Sequence, residues 1–366
     1  MKPVTLTGEG LHLRPWQLSD VDDLARACDD PLTARFLPHI PSPYTTESAR
    51  WWITEGAPAA WEAGGCSFAV TAPADGGLLG GAGMSASSTH RKHAEIGYWV
   101  APWARGRGVA TAATRVLSAW GFGNGVERME LLAAKENVPS QRVALAAGFA
   151  REGVRRGASL GRDGVRTDLI AFVRMHNDPP GPISRFLPDL ADGQLTDGVV
   201  RLRPLAPDDV DDIFALFQLP EVAQSYYGPP MTREVALRRC ATAASSWLAG
   251  ERAELVITDA STGAFAGDMG MQVHDPFLSQ AMIGYSLHPE FRGRGFATRG
   301  ARLITDWAFS IGIVRVIAGT APENEASQRV LQRAGFEREA YFKAALPGRD
   351  GKRVDDIQWV RISPTL

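Results

Sequence analysis

Alternating apolar and polar residues, each time followed by an amphipathic stretch, occur twice along the chain. LHLRP (11–15) and VRLRP (200–204) alternate with period two, as a half-buried strand does. Each leads through Ser-Asp or Pro-Asp, an N-cap signal, into VDDLARAC (21–28) or VDDIFALF (210–217), whose apolar positions recur at helical spacing. A second helical pattern follows at ESARWWITEGA and REVALRRCATAASSWLA. Three runs rich in β-branched and aromatic residues come next: CSFAVTA, LLGGAGMSAS and EIGYWVAP, matched later by ELVITDA, AFAGDMGMQV and MIGYSLHP. A Gly-rich turn then opens a long helix, ATAATRVLSAWGFG or ATRGARLITDWAFS. A strand, a helix beginning at Asn-x-x-Ser and a terminal hairpin carrying Gly-Arg-Asp-Gly complete each half. This order predicts an α/β (α+β) fold, a mixed, mostly antiparallel sheet flanked by helices.

The two halves are copies. IGYWVAPWARGRGVAT (96–111) and IGYSLHPEFRGRGFAT (283–298) share ten of sixteen residues at an offset of 187. The same offset aligns ENVPSQRVALAAGF (136–149) with ENEASQRVLQRAGF (323–336), nine of fourteen identical, and GRDGVRTD (161–168) with GRDGKRVD (348–355), six of eight. The amino-terminal anchors align at 189. A period this long means two whole domains, not a solenoid. The expected domains are 1–178 and 196–366, joined by a Pro-, Gly- and Asp-rich linker at 179–195.

Composition narrows the function. The 366 residues are 45% hydrophobic and carry 39 basic against 41 acidic groups, a net charge of −2, which argues against nucleic-acid binding. No long apolar run and no secretory leader are visible, so no membrane partner and a cytoplasmic location are expected. Cys28, Cys66 and Cys240 are odd in number and far apart, as buried thiols in a reducing compartment would be.

The chemistry-bearing signal is strand, Arg-Gly-Arg-Gly-x-Ala, helix: Arg105, Gly106, Arg107, Gly108, Val109 and Ala110, then Arg292, Gly293, Arg294, Gly295, Phe296 and Ala297. Glycines let main-chain N–H groups turn toward a ligand, and the helix behind adds unpaired donors and its positive dipole end. Such a bend suits a pyrophosphate. It is neither a Walker loop nor a GxGxxG fingerprint. A plain Gly-rich turn would read the same way, but each bend is followed at a fixed distance by Glu136-Asn137-x-x-Ser140 or Glu323-Asn324-x-x-Ser327. Those helices end in Gly148-Phe149 and Gly335-Phe336, read as a C-cap followed by a core anchor.

Taken together, R-x-x-G-x-A, then N-x-x-S, then G-F resembles the GCN5-related N-acetyltransferase (GNAT) family, in the branch similar to ribosomal-protein alanine acetyltransferases. The resemblance covers nearly the whole chain as two tandem domains and implies acetyl-CoA as cosubstrate, with no metal. It puts the pyrophosphate on the two bends and the pantetheine arm along Ile96–Val100 and Ile283–Leu287, so that Val100 and Leu287 join the binding residues. It makes Asn137 and Asn324 pantetheine contacts, and Ser140 and Ser327 candidate proton donors to the leaving thiolate; helix capping is the competing role for these types.

Amine acetylation also needs a proton acceptor, because an aliphatic ammonium has a pKa of about 10.4. Glu95 opens the strand before the first bend, where relatives keep a catalytic or water-ordering glutamate. Its equivalent is Met282, and the second copy instead offers Asp268 where the first has Gly81. The alternative readings are a solvated strand end for Glu95 and a strand-edge charge for Asp268. His90, His93 and His274 have no metal-site spacing. Trp51, Trp52, Trp61 and Trp247 read as core residues or as the wall of an acceptor pocket, and Tyr226 and Tyr227 could join such a wall. The expected activity is acetyl transfer from acetyl-CoA to a primary amine by direct attack in a ternary complex. The expected acceptor is an amine-bearing small molecule or a protein N-terminus. Antibiotic or metabolite acetylation, or acyl-CoA sensing without turnover, are the alternatives.

Overall fold

The computed structural model describes residues 2–364 except 89, 227, 229 and 349–351. Tyr227 and the Arg-Asp-Gly of the second hairpin motif therefore lie outside the described residues. The chain divides into two compact units, Met1–Ser184 and Arg185–Leu366.

In the first unit the elements are β1 (Leu6–Gly8), β2 (Leu11–Arg14), α1 (Val21–Cys28), α2 (Pro31–Phe36), α3 (Thr46–Trp51), α4 (Ala57–Glu62), β3 (Cys66–Thr71), β4 (Leu78–Ser88) and β5 (His93–Val100). After them come α5 (Val109–Gly123), β6 (Arg128–Ala134), α6 (Val138–Ala146), β7 (Ala150–Leu160) and β8 (Arg166–Met175). The second unit repeats the plan with β9 (Leu195–Thr196), β10 (Val200–Pro204), α7 (Val210–Gln218), α8 (Pro220–Ser225), α9 (Arg233–Leu248), β11 (Arg252–Asp259), β12 (Phe265–Asp275) and β13 (Gln280–Leu287). It ends with α10 (Phe296–Ser310), β14 (Arg315–Thr320), α11 (Glu325–Arg333), β15 (Glu337–Pro347) and β16 (Arg353–Ile362).

Each unit holds one eight-stranded sheet, of order β1-β2-β3-β4-β5-β6-β8-β7 in the first and the corresponding order in the second. Pairing is antiparallel except for β5 with β6 and β13 with β14. The mixed, mostly antiparallel sheet read from the sequence is thus the observed one. Helices stack on it through fully buried side chains such as Leu13, Phe68, Met129 and Phe172 in the first unit. In the second, Leu202, Met269, Ile304 and Val316 do the same. Each such side chain contributes on the order of 1.5–3 kcal/mol.

The aspartates read as N-caps tie each first strand to its first helix. Asp20 receives both Nη groups of Arg14 at 2.7 and 2.8 Å and the Gln17 N–H at 2.9 Å. Asp209 repeats this with Arg203 and the Ala206 N–H. The Gly-Phe reading also holds. Gly148 and Gly335 sit at φ 88° and 90°, and the Phe149 and Phe336 N–H groups donate back to Ala144 and Leu331 with both rings buried. That is a Schellman cap with its apolar anchor.

Two details differ from the sequence reading. The second helical stretch of the first unit is one run interrupted by a wide turn at Trp52–Gly56, so α3 and α4 are separate. Residues 179–195 carry packing of their own: the Ile183 N–H donates to Leu145, while Leu187 and Leu190 are buried in the second unit's core. Among the described residues no helix is long and apolar enough to cross a membrane.

Candidate functional site

In each unit the parallel strands part company soon after they meet. β5 and β6 pair only from His93–Glu95 to Arg128–Glu130. β13 and β14 pair only from Gln280–Met282 to Arg315–Ile317. Ile96–Val100 and Ile283–Leu287 run on without a ladder partner on that side. A wedge bounded by two unpaired strand edges can take an extended amide-bearing chain as an added strand. Val100 and Leu287 stand at its wide end.

The glycine bends close that end. Gly106, Gly108, Gly293 and Gly295 have φ of 73°, 76°, 74° and 80°, and a Cβ at any of them would meet open space. Gly108 and Gly295 are the left-handed N-caps of α5 and α10. The next side chains, Val109 and Phe296, are buried, so neither covers the unpaired N–H groups that a helix start carries. Unpaired N–H groups at such a helix start can hold a diphosphate.

The arginines of the bends are not equivalent. Arg105 turns away from the bend to pair with Asp30 and to donate to Thr33 Oγ1 at 2.9 Å. Arg294 lies over the rings of Phe291 and Phe296 and 3.4 Å from Asp259. Arg107 and Arg292 are exposed. A small open pocket of about 480 Å³ beside Gly295 is lined by Thr298, Arg299, Arg302 and Arg333 among others.

Opposite the wedge, Asn137 and Asn324 cap α6 and α11 by accepting the Ser140 and Ser327 N–H groups at 3.3 and 3.1 Å. Capping, one of the two roles open to these asparagines, is therefore observed. Both serines meet a tyrosine that sequence reasoning passed over. Tyr98 Oη lies 2.9 Å from Ser140 Oγ, and Tyr285 Oη lies 2.9 Å from Ser327 Oγ. Burial pushes both phenols up, Tyr285 to about 12, against the serine contact. A phenol that keeps its proton can hand one to the serine. The one available signal was the identical Ile-Gly-Tyr in both copies.

The opposite face of the sheet differs between the units. Glu95 lies there at the apex of the first wedge, in register with the buried Glu130. Burial, then the neighbouring Glu130 carboxylate, raise the Glu95 pKa, and Arg155 partly offsets them. Arg155 also pairs with Glu130. Further along, Trp16 and Trp99 stack at 6.2 Å, and the Trp16 indole donates to Ser67 Oγ at 3.0 Å. A Cβ on Gly81 would strike Trp99 at 2.6 Å.

In the second unit the corresponding residues are Leu205, Ser286, Glu254 and Asp268. Removing two indoles leaves room for a buried ion cluster. Arg239 bridges Glu254 and Asp268, the latter at 2.7 Å. Burial works against the Arg239 charge, but the two carboxylates outweigh it and hold its pKa above the usual value. Asp268 is buried, and its Oδ1 has no hydrogen-bond partner among the described residues. The structure therefore brings Glu95 to the wedge apex and ties Asp268 to an arginine.

Of the tryptophans, Trp61 packs against Phe68 and Trp120, and Trp247 against Trp307. Trp51 is exposed, and Trp52 borders the α1 cluster. Tyr226 stacks edge-on against Phe217. Among the described residues no group of three His, Cys, Asp or Glu side chains could hold a metal. All three cysteines are free and buried, and burial pushes Cys28, Cys66 and Cys240 up to about 12, 12 and 11. None of the three is expected to react with Ellman's reagent in the folded chain; complete reaction is expected in guanidinium. Rapid release of one equivalent from the native protein would contradict this packing.

Residues 10–150 and 200–337 each match the family model described as an acetyltransferase (GNAT) domain. A probable N-acetyltransferase of Bacillus subtilis, YjcK, is 43% identical over 63 residues, 17% of this chain and 35% of its own length. This chain thus spans about a third of that relative. YoaA, an uncharacterised N-acetyltransferase of the same organism, is 29% identical over 145 residues, 39% of this chain and 81% of its own. Among solved structures, Mycobacterium smegmatis RimJ in complex with CoA-disulfide is 25% identical, with a TM-score of 0.42, covering 48% of this chain and 88% of that one.

Proposed function

The chain belongs to the GNAT acetyltransferase family through two tandem domains, and from that premise we propose that it transfers acetyl from acetyl-CoA to a primary amine, with one donor site in each domain. The functional units are residues 1–178 and 196–366, with 179–195 as their connection. The observation that carries this reading is the pairing, in both units, of an open wedge with a left-handed glycine bend that starts a helix and has open space over its glycines.

Acetyl-CoA, when bound, supplies the activated thioester. The chain's residues do the rest. Main-chain amides of Gly106–Ala110 and Gly293–Ala297 hold the diphosphate, with Arg107 and Arg292 adding charge from the rim. The free edges from Ile96 to Val100 and from Ile283 to Leu287 take the pantetheine amides, joined by Asn137 and Asn324. Ser140 and Ser327, each backed by a tyrosine hydroxyl, deliver the proton that the leaving sulfur needs. Glu95 receives the amine proton in the first unit.

The acceptor regions differ chemically. The first unit offers two stacked indoles, suited to an apolar amine or the end of a peptide. The second offers Asp268 Oδ1, unpartnered among the described residues and suited to a cation. The acceptor is an amine-bearing small molecule or a protein N-terminus.

The test is a steady-state amine screen with acetyl-CoA on the wild type and on two single-bend variants, Gly108→Trp and Gly295→Trp. Turnover of one amine class by each variant is the expected result. Tight acetyl-CoA binding without turnover across the panel would instead favour a sensor.

In the Gly295→Trp background, Glu95→Gln is expected to lower kcat by about 10²- to 10⁴-fold. A base works only when ionised, so the first-unit rate should rise with pH through the elevated Glu95 pKa. Arg155→Gln removes the group that pulls that pKa down, so the rising limb should move to higher pH. A limb that stays put would disconnect Glu95 from the rate.

A further inference from the structure

The second unit has lost the apex acid: Met282 and Ile317 stand where the first has Glu95 and Glu130. A different exchange lies one pleat further along the wedge. The first unit has Leu132 on β6 and Leu169 on β8; the second has Gly319 on β14 and Asp356 on β16. We propose that Asp356 is the proton acceptor for acetyl transfer in the second unit, its carboxylate occupying the space over Gly319 at the edge of the wedge.

Register puts Met282, Ile317, Gly319, Gln358 and Asp356 on one face of the sheet, because paired residues and residues two apart share a face. This is the face that carries Glu95 in the first unit. A Cβ on Gly319 would meet Asp356 Oδ1 at 2.8 Å, Oδ2 at 3.0 Å and Cγ at 3.2 Å. The glycine is what makes room for the acid. Gly319 and Gly284 are both exposed, so the face is open between them.

Asp356 Oδ1 is buried with no hydrogen-bond partner among the described residues. Such an acceptor costs on the order of 1–3 kcal/mol unless something fills it. Among the described residues no arginine, lysine or histidine forms an ion pair with Asp356. Phe342 lies across from it on β15, where the first unit has Arg155. Among the described residues, charged groups of the same face include the Arg315–Glu339 pair on one side and, on the other, the Arg239–Glu254–Asp268 cluster with Arg252, which pairs with Glu254 at 2.7 Å. Burial raises the Asp356 pKa, against the Thr320 N–H that the carboxylate accepts. A raised carboxyl pKa narrows the gap to an ammonium, which suits a proton acceptor.

The step balances. The Asp356 carboxylate takes one proton from the incoming ammonium and later releases it to water. The freed nitrogen bonds to the acetyl carbon as the carbon–sulfur bond breaks. The second amine proton returns to the sulfur through Tyr285 and Ser327, which end as they began.

This inference rests on the donor-site reading above, and its test separates the two. The full chain carrying Gly108→Trp leaves only the second donor site. Its crystal structure with acetyl-CoA should place an Asp356 oxygen within about 6 Å of the acetyl carbon, since an attacking nitrogen stands about 3–3.5 Å from that carbon and a base about 3 Å from the nitrogen. Acetyl transfer by the same chain is followed with n-butylamine, spermidine and the tripeptide Ala-Gly-Gly.

Asp356→Asn should lower kcat about 100-fold and remove the acid limb of the pH profile, with acetyl-CoA affinity unchanged. Asp356→Leu with Gly319→Leu, which rebuilds the first unit's pair, should fold and show the same loss. Three results overturn the proposal while leaving the donor site standing: acetyl-CoA bound with Asp356 turned away, no turnover of any probe, or full activity in Asp356→Asn. Failure of acetyl-CoA to bind at the second bend overturns the donor site instead, and the proposal with it.

Discussion

Gly108→Trp combined with Gly295→Trp is expected to abolish CoA binding by the intact chain, and each substitution alone to remove one of two binding equivalents. The expectation follows from what the bends expose. Val109 and Phe296 are buried, so the bend offers main-chain N–H groups and the open space above two left-handed glycines, with Arg107 and Arg292 exposed at its rim. Charge-assisted hydrogen bonds of this kind contribute about 1.5–3 kcal/mol each. An indole in that space excludes the diphosphate from all of them, so a loss of affinity of about 100-fold or more is expected at each altered site. A non-glycine residue at φ near 76° or 80° costs on the order of 1–3 kcal/mol, which a domain of ordinary stability tolerates. Isothermal titration reads the loss and circular dichroism checks the fold. Undiminished binding in the double variant would remove the bends from the donor site.

The second large effect concerns stability. Arg239→Met should destabilise the second unit by about 3–5 kcal/mol, because it leaves Glu254 and Asp268 buried without their shared cation. Replacing all three as Arg239→Met, Glu254→Gln and Asp268→Asn should recover most of that loss, since the buried carboxylates and their cation go together and Arg252, which pairs with Glu254 at 2.7 Å, is exposed enough to be solvated. Differential scanning calorimetry on the full chain reads this as a lowered transition in the single variant and its partial return in the triple. Equal losses in the two variants would mean that the cluster matters for its shape and not for its charge.

These two effects also mark what was legible in the sequence. The bends, caps and Gly-Phe anchors could be read because local backbone requirements select glycine and asparagine wherever they occur, and duplication displayed each of them twice. The mostly antiparallel sheet followed from the succession of elements, whereas the order of strands within it, with β8 between β6 and β7, is set by long-range pairing. The partners of Asp268 could not be read: Arg239 lies 29 residues away, and only strand and helix packing brings them together.

The exchange of Trp16, Gly81 and Trp99 for Leu205, Asp268 and Ser286 is likewise one physical change spread over three distant segments. No window along the chain contains it. Tyr98 and Tyr285 were visible as identities but silent about chemistry until the serines were found 2.9 Å away. The wide turn at Trp52–Gly56 escaped because its residues keep a helical apolar pattern across it.

The central claim is that main-chain amides at two equivalent bends capture the diphosphate. Hydrogen–deuterium exchange of the full chain with and without CoA tests it most directly. Slowed exchange confined to Gly106–Ala110 and Gly293–Ala297, together with the edges Ile96–Val100 and Ile283–Leu287, is the predicted result. Bound CoA with exchange unchanged at both bends would contradict it.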